Sequence, residues 1–117
     1  MGDQWTAGRV KSFIVSALRT GARRWPPKYM CLQAACTGQR INEKTKRLAK
    51  HYTCAKCQED YTSKDVEVDH IEPVVSVGDG FIDWNVFIER LFCPIENLQV
   101  LCKPCHKKKT KEERTLR

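Results

Sequence analysis

The chain reads as an α+β protein in which two short strands and a closing helix carry a cluster of metal-ligating residues, with more helices ahead of them. Val66, Val68 and His70 alternate with Glu67 and Asp69, the period of two that marks a strand. Leu98 to Leu101 forms a second short strand, directly before a helix that opens near Lys103. Cys54-Ala55-Lys56-Cys57 and Cys102-Lys103-Pro104-Cys105 supply four thiols, the donor set of a tetrahedral structural zinc site. The count of seven cysteines is odd, which argues against a framework of disulfides.

The 117 residues suit one modest core that benefits from a staple, and zinc is the natural one. Hydrophobic residues make up 41% and charged residues 30%, the balance of an ordinary globular protein rather than a disordered one. No apolar run reaches membrane-spanning length and no leader pattern opens the chain, so an intracellular protein without a membrane partner is expected. The formal net charge of +7 is uneven: residues 1–50 carry +9, residues 51–102 carry −7 and residues 103–117 carry +5. Basic arms around an acidic centre suit a polyanion held by the arms, with cations in the middle. Four thiolates around zinc would bring the folded charge nearer to about +5. The expected division is a basic helical N-terminal extension packed on the core over 1–50, a core with the zinc knuckles over 51–112 and a basic tail over 113–117.

The first six residues are a polar lead. Val10, Phe13, Ile14, Ala17 and Leu18 then recur at helical spacing, predicting an amphipathic helix from about Ala7 to Thr20 with this stripe on the core and Gly21 at its stop. Arg19, Arg23 and Arg24 lie along or just past it and could neutralise phosphates. Trp25-Pro26-Pro27 breaks the helix, and a second short helix from about Pro27 to Ala35 follows. Cys31 and Cys36 are expected to be small buried hydrophobes. Thr37 to Lys46 reads as a polar loop, Arg47 to Tyr52 as a lead into the first knuckle, and His51 as a structural or surface group.

The 44 residues between the cysteine pairs exceed the span of a compact zinc ribbon, so this segment has to fold and bring the knuckles together. Tyr61 is expected to pack on the zinc lobe, and Thr62 to Asp65 to turn into the first strand. Asp69 and His70 are neighbours on that strand and point to opposite faces, which predicts a bend at the dyad. Pro73 ends the strand and Gly78-Asp79-Gly80 punctuates the loop. Asp83 is a good N-cap for a helix bearing Trp84, Phe87, Ile88 and Leu91, which Pro94 stops. Two strands followed by a helix, with a metal between them, form a ββα-metal arrangement with a helical insertion between the strands.

Hydrolysis of a phosphodiester needs an activated water, charge stabilisation at the phosphoryl oxygens and help for the leaving alkoxide. Asp69 offers a hard carboxylate and His106 an imidazole nitrogen, which can hold a divalent cation such as Mg²⁺ or Mn²⁺ with positions open for water and phosphate. His70, beside the ligand, is the natural general base because its reference pKa lies near neutrality. Lys107, Lys108, Lys109 and Lys111 emerge beside the metal, placed to meet a phosphate backbone.

The blocks Val-Asp-His-Ile-x-Pro, from Val68, and Glu-Asn-Leu-Gln-x-Leu-Cys-x-x-Cys-His-x-x-Lys-Thr, from Glu96, resemble the cysteine-bearing, zinc-stabilised branch of the HNH nucleases, over roughly residues 54 to 112. The resemblance implies a ββα-metal core in which His70 is the general base, Asp69 and His106 bind the catalytic metal, and Asn97 holds the loop between the strands. It implies a divalent-metal-dependent DNA endonuclease or nickase of little sequence specificity, leaving 5′-phosphate and 3′-hydroxyl ends. One active site per chain cuts one strand at a time, whether in a monomer or a weak dimer. The organisation, including Trp25-Pro26-Pro27, is similar to small phage-encoded HNH proteins, which points to the host cytoplasm and to phage packaging proteins as partners. The alternative is a non-catalytic zinc module that binds nucleic acid or a partner protein; such a module has no need of the Asp69-His70 dyad.

Overall fold

The computed structural model describes residues 5–116, so most of the polar lead lies outside the described residues. The protein is α+β, with helices α1 (Ala7–Ala22), α2 (Pro26–Ala34), α3 (Trp84–Leu91) and α4 (Lys103–Leu116). Strands β1 (Cys36–Ile41), β2 (Leu48–Thr53) and β3 (Asp60–Thr62) form one antiparallel sheet, and β4 (Val66–His70) and β5 (Leu98–Cys102) form another. Among the described residues no helix is long and apolar enough to cross a membrane.

Local chemistry accounts for most of the helix ends. Thr6 caps α1 by accepting from the Arg9 amide at 3.3 Å, and Asp83 caps α3 by accepting from the Val86 amide at 2.8 Å. Pro26 and Pro27 occupy the first turn of α2, where no N–H is required. Helix α1 runs one residue past Gly21, to Ala22.

Among the described residues, three small apolar clusters lie along a molecule measuring 56 × 30 × 25 Å. In the first, Ala22, Val15 and Leu18 of α1 meet Phe87 and Leu91 of α3 and Val74. In the second, Leu32 and Cys31 of α2 cover Val66, Val68 and Val100 on one face of the β4–β5 pair, with Tyr52 and Cys36 beside them. Cys31 and Cys36 are thus half-buried packing residues. The third consists of Cys54, Leu101 and Cys102, with Tyr61 and Cys105 against it.

The structure corrects two expectations. The buried side of α1 is Val15, Leu18 and Ala22, whereas Phe13 is 70% exposed and Val10 and Ile14 also face outward. Long basic stems take part of the buried side: the Lys11 ammonium lies 3.8 Å from the Phe81 ring centroid, and the Arg19 guanidinium lies 5.7 Å from that of Phe87. The second correction concerns residues 37–46, which form most of β1 and its turn rather than a loop. Asp60 organises this sheet by accepting from Thr53 Oγ1 at 2.7 Å, Arg40 Nη2 at 2.7 Å and Thr37 Oγ1 at 3.2 Å. The bonds from Thr53 and Arg40 hold its carboxyl below the usual carboxylate range. The anticipated boundary between residues 50 and 51 falls inside β2.

Trp25 joins the N-terminal helices to the rest. Its indole N–H donates to the Cys93 carbonyl at 2.7 Å, and its ring meets Phe92 edge-on with centroids 5.4 Å apart. Trp25→Phe should therefore lower the unfolding free energy by about 1–2 kcal/mol in urea titrations, since it leaves a carbonyl at a buried residue without its donor. An unchanged midpoint would show that the bond contributes nothing net.

Candidate functional site

Two groups of chemically active residues adjoin at the junction of β5 and α4. The Sγ atoms of Cys54, Cys57, Cys102 and Cys105 all lie within 4.8 Å of one another, and those of Cys57 and Cys102 are 3.9 Å apart. A tetrahedral zinc ion with four thiolates needs sulfur separations of about 3.8 Å, so this donor set fits one ion. The first knuckle reaches the second because the Ala55 amide donates to the Val100 carbonyl of β5 at 2.8 Å. Within it, the Gln58 amide donates to the Cys54 carbonyl at 3.0 Å, and Gln58 closes the turn at φ 62°. Burial pushes the Cys54 thiol up, but amides of Cys102, Cys57 and Lys56 outweigh it and bring its pKa down to about 6. The Cys105 thiol, hydrogen-bonded to Cys102 and desolvated, is pushed up to about 12. The Tyr61 hydroxyl lies 3.5 Å from Cys57 Sγ, against the same cluster as anticipated.

The second group is built by the alternation of β4. Glu67 and Asp69 share the face opposite Val66 and Val68, and α4 lies across it, presenting His106, Lys109 and Glu113 at i, i+3 and i+7. His106 Nε2 lies 3.5 Å from Asp69 Oδ1, while its Nδ1 lies 3.1 Å from Glu67 Oε2. Glu67 accepts from Nδ1, and Nε2 is the nitrogen turned toward Asp69, the arrangement by which a carboxylate orients a metal-binding histidine. A carboxylate oxygen and an imidazole nitrogen at this separation can occupy neighbouring positions on one divalent cation, where such edges are about 3 Å. The other oxygen of Asp69, Oδ2, accepts from Lys109 Nζ at 2.8 Å and Gln99 Nε2 at 3.2 Å.

His70 points the other way, toward α3. Its Nε2 lies 3.0 Å from the Leu91 carbonyl, which can only accept, so Nε2 carries the proton and Nδ1 the lone pair of the neutral ring. Burial lowers the pKa of His70, and Lys28 and Arg19 add to this against the opposing pull of the Leu91 carbonyl and Asp69. The strand does not bend at the dyad: pairing runs unbroken through Asp69↔Gln99 and His70↔Leu98, and the bend follows at Ile71 and Glu72. Both residues nevertheless line one cleft of about 350 Å³, shared with Arg19, His106, Lys109 and Thr110, because the strand ends there.

Asn97 ends the short helical turn just before β5 and spans the turn after β4. Its Oδ1 accepts from the Glu72 amide at 3.0 Å, its Nδ2 donates to the Glu72 carbonyl at 3.5 Å, and its own carbonyl accepts from the Ile71 amide at 2.8 Å. Of the basic residues, Arg19, Arg23, Arg24, Lys107, Lys108 and Lys111 are exposed. Lys109 instead turns inward, bonded to Asp69 and to the His70 carbonyl at 2.6 Å, because helical spacing from His106 aims it at β4. His51 lies apart from the cleft, with Nδ1 3.0 Å from the Ala49 carbonyl. Sequence reasoning missed Glu67, Gln99 and the Leu91 carbonyl. Strand alternation from Asp69 could have found Glu67; the other two depend on packing.

The chain is 42% identical over 60 residues to a protein of Lactococcus phage SK1 named "Probable HNH endonuclease", a match that covers 51% of this chain and 55% of that protein. The chain thus spans about half the length of the curated relative it matches. No model of a protein family matches the chain, and no solved structure matches it.

The four-thiol site makes a direct prediction. Purified protein should hold about one zinc ion per chain by elemental analysis, and Cys102→Ser should lose the ion and much of the cooperative unfolding transition. Folded protein free of zinc would remove the structural-metal assignment.

Proposed function

We propose that this protein is a divalent-metal-dependent HNH endonuclease or nickase that hydrolyses DNA phosphodiester bonds, and that β4, β5 and α4 are its ββα-metal core. The observation that carries this reading is the meeting of Asp69, His106 and the oriented His70 in one cleft. The partial likeness to a phage protein named as a probable HNH endonuclease supports it and suggests a phage-associated, intracellular role.

In this reading Asp69 and His106 would hold the catalytic cation, with Glu67 fixing the imidazole and Lys109 and Gln99 fixing the carboxylate. When bound, the cation supplies charge stabilisation to the phosphoryl oxygens and the leaving oxygen. His70 Nδ1 accepts a proton from the attacking water, and the Leu91 carbonyl stabilises the imidazolium that results by accepting a hydrogen bond from its Nε2–H. Asn97 is a positioning residue that holds the turn behind the dyad. Arg19 at the cleft, with the exposed Arg23, Arg24, Lys107, Lys108 and Lys111, binds the phosphate backbone without reading bases. Residues 51–112 carry the catalytic groups, and residues 1–50 are a basic extension that shares β2 with them and adds Arg19 to the cleft.

Supercoiled plasmid should be nicked in Mg²⁺ or Mn²⁺ and spared in excess chelator, and His70→Ala should slow nicking by about 10²–10⁴-fold. A plasmid left equally intact by wild type and His70→Ala with every divalent ion tried would leave the non-catalytic zinc module as the function. The base must be neutral to act, and burial lowers its pKa, so the acid limb of the single-turnover rate should fall below the ordinary histidine value of 6.5. A limb centred well above that value would exclude His70, in the environment described, as the group that titrates.

A further inference from the structure

The β1–β2 hairpin has no part in the cleft, yet it carries the features of a nucleic-acid-binding arm. Its strands of six residues each are about 20 Å long, packed at one end against Val66 and Val100 through Cys36 and Tyr52. The base is secured by the three bonds to Asp60. The tip is ordered as well: the Asn42 amide donates to the Arg47 carbonyl at 2.8 Å, the Lys46 amide to the Asn42 carbonyl at 2.7 Å and the Lys44 amide to Asn42 Oδ1 at 3.0 Å. An ordered ribbon meets a partner with little loss of backbone entropy.

The register divides the hairpin into two faces. Gln39 pairs with Lys50 and Ile41 with Leu48, so these four side chains share one face, and all four are exposed. The other face bears Arg40 with Ala49, and Arg40 is engaged by Asp60 at 2.7 Å. Lys44, Lys46 and Arg47 surround the turn, with Glu43 as the single acid among them, paired to Lys46 at 3.5 Å. An amide, two apolar side chains and a lysine on a two-stranded ribbon with a cationic tip match the major groove of duplex DNA. That groove admits such a ribbon, offers acceptors and thymine methyl groups on its floor and is walled by phosphates.

We infer that the β1–β2 hairpin inserts its Gln39–Ile41–Leu48–Lys50 face into the major groove of duplex DNA, with Lys44 and Arg47 on the flanking phosphates. The inference extends the nuclease reading by assigning a duplex-binding arm remote from the cleft. Such an arm adds base-edge recognition to backbone binding that is otherwise blind to sequence.

The test measures binding of the zinc-loaded full chain to a 30-base-pair duplex, of about three helical turns, by fluorescence anisotropy without Mg²⁺ or Mn²⁺, so that no cleavage occurs. The variant Lys44→Gln/Arg47→Gln/Lys50→Gln should weaken binding at least about tenfold at low salt. It should also reduce the slope of log K against log salt by about 2, near 0.9 for each of the two phosphates that Lys44 and Arg47 no longer neutralise. Ile41→Ser/Leu48→Ser should weaken duplex binding while leaving the salt slope in place. Unchanged duplex affinity and slope in the triple variant, with its zinc content intact, would overturn the inference. Equal loss of duplex and single-strand binding in the Ile41/Leu48 variant would overturn groove insertion. Hairpin-dependent binding by a chain that never nicks plasmid would sink the nuclease reading alone, and nicking with hairpin-independent affinity would sink this inference alone.

Discussion

The Ala55 amide bonded to the Val100 carbonyl at 2.8 Å sets the geometry on which much of the molecule depends. It fastens the first cysteine knuckle to the middle of β5, while the second knuckle grows from the end of the same strand and the start of α4. Four thiols therefore converge although 44 residues of chain separate the pairs. Because β5 is nearly all buried, the knuckles are referred to a rigid element rather than to a loop. The apolar core is divided among three small clusters in an elongated molecule, and a metal bound across the knuckles would replace the larger core that a chain of this size lacks.

The same strand and helix place the second group. His106 is the residue after Cys105, so whatever fixes the thiol fixes the start of α4 and the direction of the imidazole. Alternation on β4 then separates two tasks that adjacent residues could not perform on one face. Asp69 turns toward α4 and His106, while His70 turns toward the end of α3, where the Leu91 carbonyl sets its tautomer. Each chemically active atom has a supporting partner: Glu67 behind His106, Lys109 and Gln99 behind Asp69, Leu91 behind His70. The helix between the strands thereby contributes to the cleft it interrupts in sequence.

Much of this was legible because local rules dominate where it was read correctly. The Asp83 cap, the proline start of α2 and the period of β4 each depend on neighbours within a few residues. Besides the bend expected at the dyad, two readings failed where several answers satisfy the same local rule. Helix α1 has apolar residues around more than one side, and the choice of Val15, Leu18 and Ala22 over Val10, Phe13 and Ile14 was made by the position of α3. Residues 36–53 lack a sharp apolar alternation, so the hairpin could not be read from periodicity; it rests on Asp60, which lies beyond both of its strands in sequence.

The sequence alone therefore determined the α+β class, the four thiols that could hold one metal ion and the choice of Asp69, His70 and His106 as the residues to watch, since spacing and side-chain chemistry suffice for these, while Asn97 was singled out by the family resemblance. Only the tertiary structure decided which oxygen of Asp69 faces His106, which nitrogen of His70 bears the proton, that Lys109 turns inward and that a polar stretch becomes an ordered basic ribbon. Each of those outcomes depends on a partner brought close from another element, and a hydrogen bond across tens of residues leaves no periodic trace in the chain that makes it.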